Sequence, residues 1–191
     1  MLTDDKTIST PEYWRTIYEG ERKGAKTDSS NFKRPSNSFD RFQWLANQVE
    51  GPRVLDIASG HAVTMKRLKA MHPDWMIVCS DQTEAARNAA NWEGVYHIFS
   101  AYEIPMFAER FNTITISQAI EYLEFPDKFM EKAKERAEYL VLTIPDGEMK
   151  LWSQLKIWDE ITLKAWLEVY GEIVHFDKVP GLMLAKIKFR E

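Results

Sequence analysis

From Arg53 onward the chain alternates short apolar runs with amphipathic stretches. The runs Val54–Ala58, Met76–Ser80, Val95–Phe99, Phe111–Ser117, Tyr139–Ile144, Ile173–Phe176 and Leu182–Phe189 read as strands. Helical spacing fills most of the gaps, at Val63–Met71, Glu84–Asn91, Pro126–Ala137 and Thr162–Tyr170. Strands joined by helix-sized crossovers pair in parallel, and right-handed crossovers build an open, doubly wound α/β sheet of Rossmann-like type. Only Asp177 to Gly181 separates the last two runs. That is too short for a parallel crossover, so the final strand is expected to run antiparallel in an otherwise mostly parallel, seven-stranded sheet.

The first 50 residues have a different texture. Thr10-Pro11-Glu12 is a helix start, with a hydroxyl cap, a proline in the first turn and an acid at the positive end of the dipole. Tyr13, Trp14, Ile17 and Tyr18 fall on one face, and the helix should stop near Gly20 to Gly24. Gly24–Ser38 is polar and rich in breakers, which predicts a mobile loop. A second helix is expected from about Ser38 to Val49, burying Phe39, Phe42, Trp44 and Leu45 and ended by Gly51-Pro52. The expected organisation is a helical lid over residues 1–50 on one compact domain over residues 51–191.

Composition narrows the class. The 191 residues are 45% hydrophobic, 28% charged and 13% aromatic, the balance of a globular domain with a sizeable core. A net charge of −4 argues against a protein devoted to neutralising nucleic-acid phosphates. One cysteine excludes an internal disulfide framework and multi-cysteine zinc sites. Cys79, inside a predicted strand, reads as core. No apolar run approaches the roughly 20 residues of a membrane helix, and MLTDDKTIST lacks a signal-peptide hydrophobic stretch. A soluble, cytoplasmic protein is expected. His72, His97 and His175 do not cluster with acids at ligand spacing, so no metal is expected.

The best-marked chemistry lies in VLDIASGHA, residues 54–62. Ligands of open α/β sheets collect at the carboxyl ends of the strands. Asp56 there can accept from an ammonium group or hold the loop, while Ala58, Ser59, Gly60 and Ala62 keep the backbone approachable. The second predicted strand ends at Asp81, where a carboxylate can accept from both hydroxyls of a ribose. G-x-G-x-x-G is absent and Gly60 is the sole glycine of the turn, which favours a nucleoside ligand without a pyrophosphate. A small-residue turn of this kind is also common packing.

VLDIASGHA, CSDQTEAARNAA, FSAYEIPMF, FNTITISQAIEYLEFPDKFMEKA and YLVLTIPDG, in that order, resemble the class I S-adenosylmethionine (SAM)-dependent methyltransferases. The likeness is to small-molecule enzymes whose fourth strand is followed by a Glu-His-Leu-like triplet, here Glu121-Tyr122-Leu123, and it spans roughly residues 53 to 189. It implies that Asp56, Ala58, Ser59 and Gly60 face the methionine end of SAM. Asp81 would hold the ribose and Gln82 flank it; Ser100 and Ala101 would lie beside the adenine. Ser117, Gln118 and Ala119 would line the cleft under the sulfonium. S-adenosylhomocysteine (SAH) would be the product. Ala58 and Ala62 stand where the pattern has glycines, and Ala62 is expected to crowd the cofactor carboxylate. Ser100 stands where an acid is usual and keeps an acceptor oxygen without the charge.

Methyl transfer needs mainly alignment, with a base where the nucleophile carries a proton. Tyr122, His61 and Asp146 are the candidate catalytic groups, each with a bland alternative as packing, capping or turn residue. Trp152, Trp158 and Trp166 are candidate acceptor walls, and Tyr13, Trp14 and Tyr18 candidate lid aromatics. The leading expectation is a methyltransferase acting on oxygen or nitrogen of a small molecule, with no DNA or membrane partner. The alternatives are a non-catalytic partner protein of the same fold, and an RNA or protein methyltransferase using Lys23, Lys26, Lys33 and Arg34. Acceptor and oligomeric state stay open.

Overall fold

The computed structural model describes residues 11–22, 39–104, 110–146 and 155–190. The predicted loop Gly24–Ser38, the cations Lys23, Lys26, Lys33 and Arg34, and Trp152 lie outside the described residues, as do the side chains of Tyr13, Trp14 and Ile17. The order is α1 (Pro11–Arg22), α2 (Arg41–Gln48), β1 (Arg53–Ile57), α3 (Val63–Met71), β2 (Met76–Asp81), α4 (Glu84–Ala90) and β3 (Val95–Ile98). Then come β4 (Phe111–Ser117), a 3-10 turn (Ile120–Tyr122), α5 (Pro126–Arg136), β5 (Ala137–Pro145), α6 (Glu160–Tyr170), β6 (Gly171–Val179) and β7 (Leu182–Phe189).

The strands form one seven-stranded sheet in the order β3-β2-β1-β4-β5-β7-β6. Every pair from β3 to β5 is parallel, and β7 runs antiparallel between β5 and β6. The chain order reverses between β1 and β4, which opens a crevice at their carboxyl ends.

Strand alternation divides the apolar side chains between two layers. Leu55, Ile57, Ile114 and Ile116 face α5 and α6, packing on Phe129, Met130, Leu163 and Leu167. Val54, Ile77 and Cys79 face the other way, onto Ala46 and Val49 of the α2 segment and Met65 and Leu68 of α3. Local signals set the boundaries. Asp40 caps α2 by accepting from the Phe42 and Gln43 amides, Thr83 caps α4, and Asp159 with Thr162 forms a capping box on α6. The cap at Asp40 starts α2 later than expected. Phe39 therefore precedes the helix and is 38% exposed, contrary to its expected burial, while Leu45 is fully buried.

Long-range polar contacts fasten α2 over the sheet. Trp44 Nε1 donates to Asp177 Oδ2 of β6 at 2.6 Å, and Thr113 Oγ1 exchanges hydrogen bonds with the Glu50 backbone. The buried Lys186 of β7 reaches Glu50 Oε1 at 2.6 Å. No helix among the described residues is long and apolar enough to cross a membrane.

Phe129 lies between sheet and α5 with no exposed surface. Phe129→Ala should lower the unfolding free energy by about 3–5 kcal/mol. Phe39→Ala should stay within about 0.5 kcal/mol. Urea titrations of the two variants check the contrast.

Candidate active site

Leaving β1, the chain must turn into α3 within a few residues. Ala58, Gly60 and Ala62 take left-handed conformations, with φ of 55°, 49° and 52°. For the two alanines this costs on the order of 1 kcal/mol each. Ser59 stitches the turn to β2: its amide donates to Ser80 O at 2.8 Å and its Oγ to Asp56 O at 3.0 Å. At Gly60 a Cβ would fall 2.8 Å from the Tyr18 hydroxyl, so the glycine admits α1 against the turn. Tyr96 Oη donates to Gly60 O at 3.2 Å. Ala62 corrects an expectation. Its left-handed backbone sends the methyl into the core beside Met65, Leu68 and Cys79, where it is 1% exposed and does not line the cavity described below.

Two carboxylates dominate the electrostatics. Asp56 is buried on β1, and its Oδ1 accepts from Thr115 Oγ1 of β4. Burial pushes its carboxyl up to about 6; the Thr115 hydrogen bond opposes the rise and the Asp81 charge adds to it. Asp81 ends β2, and its Oδ2 accepts from the Gly60 amide at 3.2 Å. Burial lifts it also to about 6 against the pull of the Gly60, Thr83 and Gln82 amides. Neither has a cationic partner among the described residues.

Both line a cavity of about 560 Å3 at the switch between β1 and β4. Ala58, Ser59, Gly60 and His61 line it from the turn, Gln82 from the end of β2, and Ser100 and Ala101 from beyond β3. Ser117, Gln118, Ala119 and Tyr122 line it from the end of β4. Gln118 has φ 49°, and its Nε2 is buried without an acceptor. His61 stands edge-on to Tyr18, ring centroids 5.6 Å apart. Ser100 Oγ accepts from the Tyr102 amide at 3.4 Å.

Other expected residues lie elsewhere. Asp146 does not line the cavity; it is buried at the end of β5 and paired with Lys178 Nζ of β6 at 3.0 Å. Trp158 and Trp166 are not acceptor walls either. They pack on each other and on the α5–α6 core, and Trp166 Nε1 donates to Asp127. The walls come instead from Phe42 of α2, Tyr102 after β3, and Phe125 before α5, with the charged Arg41 and Lys128. Their aromatic and basic character was visible in the sequence; their convergence was not. Glu121 is 1% exposed, and neither carboxylate oxygen has a hydrogen-bond partner. Burial pushes it up to about 8 in spite of the nearby Arg41 charge. Among the described residues no group of His, Cys, Asp and Glu is arranged to hold a metal ion.

Sheet order, antiparallel β7 and a crevice lined from β1, β2 and β4 define the class I SAM-dependent methyltransferase fold. The chain is similar to the plantazolicin methyltransferase BpumL, solved with a triazolic desmethylPZN analog and SAH. Identity is 14%, the TM-score 0.67, and 98% of this chain and 100% of that one are covered. A SAM-dependent methyltransferase from Aquifex aeolicus matches at 19% identity and TM-score 0.65, covering 86% of this chain and 100% of that one. The [4+2]-cyclase SpnF matches at 13% and 0.64, covering 78% and 80%. No family model matches the sequence, and no curated protein matches it.

The raised carboxyls fix a pH signature. Asp56 and Asp81 bind protons more tightly folded than unfolded, so the stability they contribute is full below about pH 4 and is lost as pH rises through about 6. Glu121 extends the loss to about pH 8. Asp40, Asp127 and Asp177 are lowered and act oppositely, costing stability as pH falls below about 4. Melting of the unliganded chain should therefore peak near pH 4–5 and decline toward pH 8. Asp81→Asn should raise stability at pH 7 by about 2–3 kcal/mol, the scale of a two-unit shift. Calorimetric scans across pH check both.

Proposed function

We propose that this chain is a SAM-dependent methyltransferase acting on an oxygen or nitrogen of a small-molecule acceptor. The carrying observation is the pair of buried carboxylates at the switch point, without a cationic partner among the described residues, with the orphaned amide of Gln118 on the same cavity. A site that buries two carboxylates with neutral donors but no cationic partner among the described residues, beside an amide donor without an acceptor, is matched to a ligand bringing the complementary groups. SAM brings an ammonium and a ribose diol for the carboxylates, and a carboxylate for an amide donor. The residues present therefore fit the group. About 560 Å3 also lies within the roughly 300–1,000 Å3 of small-molecule sites.

In this reading Asp56, Gln118 and the turn from Ala58 to Gly60 hold the methionine end, and Asp81 accepts from the ribose hydroxyls. Gln82, Ser100 and Ala101 border the adenine, where Ser100 offers an uncharged acceptor. Bound SAM supplies an electrophilic methyl on a sulfonium. The protein's own work is alignment and exclusion of water. Tyr18, brought by α1 against Gly60, closes the cavity from above in the manner of a lid. Tyr122 orients the acceptor, and His61 at the mouth carries its proton away. Cys79, whose thiol burial pushes above its ordinary range, offers no nucleophile. SpnF supplies the reason to test transfer as well as binding, since its name records a different reaction on this fold.

Calorimetry should give micromolar SAM and SAH binding, about −8 kcal/mol. Asp81→Ala should abolish it, and affinity should fall below about pH 6 as Asp81 takes up a proton. The pH trend opposes that of stability, so a fold defect cannot mimic it. No binding at roughly millimolar ligand would sink the reading. Transfer is then sought as a 14 Da gain in acceptors incubated with SAM, the mass of an added CH2 (roughly 14 Da), with proximity the main catalytic lever.

A further inference from the structure

Tyr96 stands next to the cavity without lining it. The β2–β3 register pairs it with Cys79, so Tyr96, Cys79 and Asp81 share the face covered by α3. From β3 its side chain reaches across β2 to the turn that follows β1, two strand spacings or roughly 10 Å away. There its Oη donates to Gly60 O at 3.2 Å. The turn's own hydrogen bond, from the Ala62 amide to Ser59 O at 2.7 Å, bypasses that carbonyl.

Gly60 is the residue at which such a contact has leverage. Its amide, on the other side of its Cα, donates to Asp81 Oδ2 at 3.2 Å. With φ of 49° and no Cβ, it can leave the left-handed conformation at little steric cost. A rotation about φ swings amide and carbonyl relative to each other, so a restraint on the carbonyl is felt at the amide. Tyr18 of α1 approaches the same residue from the Cα side, which leaves the carbonyl to Tyr96. Burial raises the Asp81 carboxyl, and of the amides that oppose the rise Gly60 counts most, ahead of Thr83 and Gln82. Asp56 faces Asp81 from β1 and Tyr96 faces it from β3. Tyr18 adjoins Tyr96, with His61 edge-on to Tyr18. Lys66 of α3 acts on Cys79, and its Nζ donates to the Ala90 carbonyl.

Resting on the methyltransferase reading, we propose that Tyr96 is a positioning residue of the cofactor site, whose hydroxyl anchors the Gly60 carbonyl and so keeps the Gly60 amide on Asp81. That amide holds the carboxylate ionised and in place to accept from the ribose hydroxyls. Tyr96 thus acts on the cofactor through Gly60 and Asp81, from behind the cavity wall.

The test uses the full chain carrying Tyr96→Phe, which keeps the ring in the layer of Met65 and Cys79 and removes only the hydroxyl. Aspartate carboxyl carbons are labelled with carbon-13 and titrated by NMR without ligand. The Asp81 and Asp56 signals are assigned by their loss in Asp81→Asn and Asp56→Asn. The Asp81 midpoint should rise by about half a pH unit or more, roughly a threefold change in proton affinity, and that of Asp56 should move less. Calorimetry near about pH 6 should show SAH affinity about three- to tenfold weaker than in the parent chain, the scale of one hydrogen bond. The gap should narrow toward about pH 9, where Asp81 is ionised in both chains. An Asp81 midpoint that stays or falls, an equal shift of Asp56, or unchanged SAH affinity near about pH 6 overturns the inference. A chain that takes no SAH overturns the methyltransferase reading and this one with it, whereas SAH binding with an unmoved Asp81 overturns only this one.

Discussion

Withholding water from two like charges is the demand around which this sheet edge is organised. Asp56 and Asp81 sit on adjacent strands with no cationic partner among the described residues, and each accepts from neutral protein donors. Thr115 must face Asp56 across the β1–β4 pair, which fixes that register. Gly60 must present its amide to Asp81, which requires the left-handed turn and the small residues around it. The apolar layers on both faces keep this geometry rigid, so stability drawn from the core supports an edge that is unfavourable by itself.

The two layers contribute unequally to the cleft. The strand ends and the turn after β1 build a polar floor from residues whose positions follow from local sequence. The walls are brought by elements that reach over the edge: α1 through Tyr18, α2 through Arg41 and Phe42, and the segment opening α5 through Phe125 and Lys128. This division suits a scaffold in which a common floor is paired with variable walls.

That division also explains what was legible beforehand. The strands and α3 were readable because apolar runs and turn residues are local signals, and Asp56, Gly60 and Asp81 followed from their places at strand ends. Arg41, Phe42, Tyr102 and Lys128 were not readable as a group, since they meet only after three separate connections fold back. Asp146 looked like its counterparts because an Asp-Gly after a strand reads the same whether it faces a cleft or pairs with Lys178. Trp158 and Trp166 have the composition of a binding wall, but hydrogen bonding to Asp127 and packing on α5 decide their place. Ala62 was misjudged because the direction of its methyl depends on the sign of φ, which the residue letter does not carry.

One backbone oxygen has a mechanical consequence. The Glu121 carbonyl accepts from both the Leu155 and Lys156 amides, at 2.9 and 3.1 Å. The turn that carries Tyr122 is thus pinned to the segment entering α6, and α6 in turn holds Asp127 at the head of α5. Tyr122 and Lys128 are therefore mounted on a closed loop of contacts and not on two independent arms. Displacing either residue must therefore strain the hydrogen bonds that hold the other.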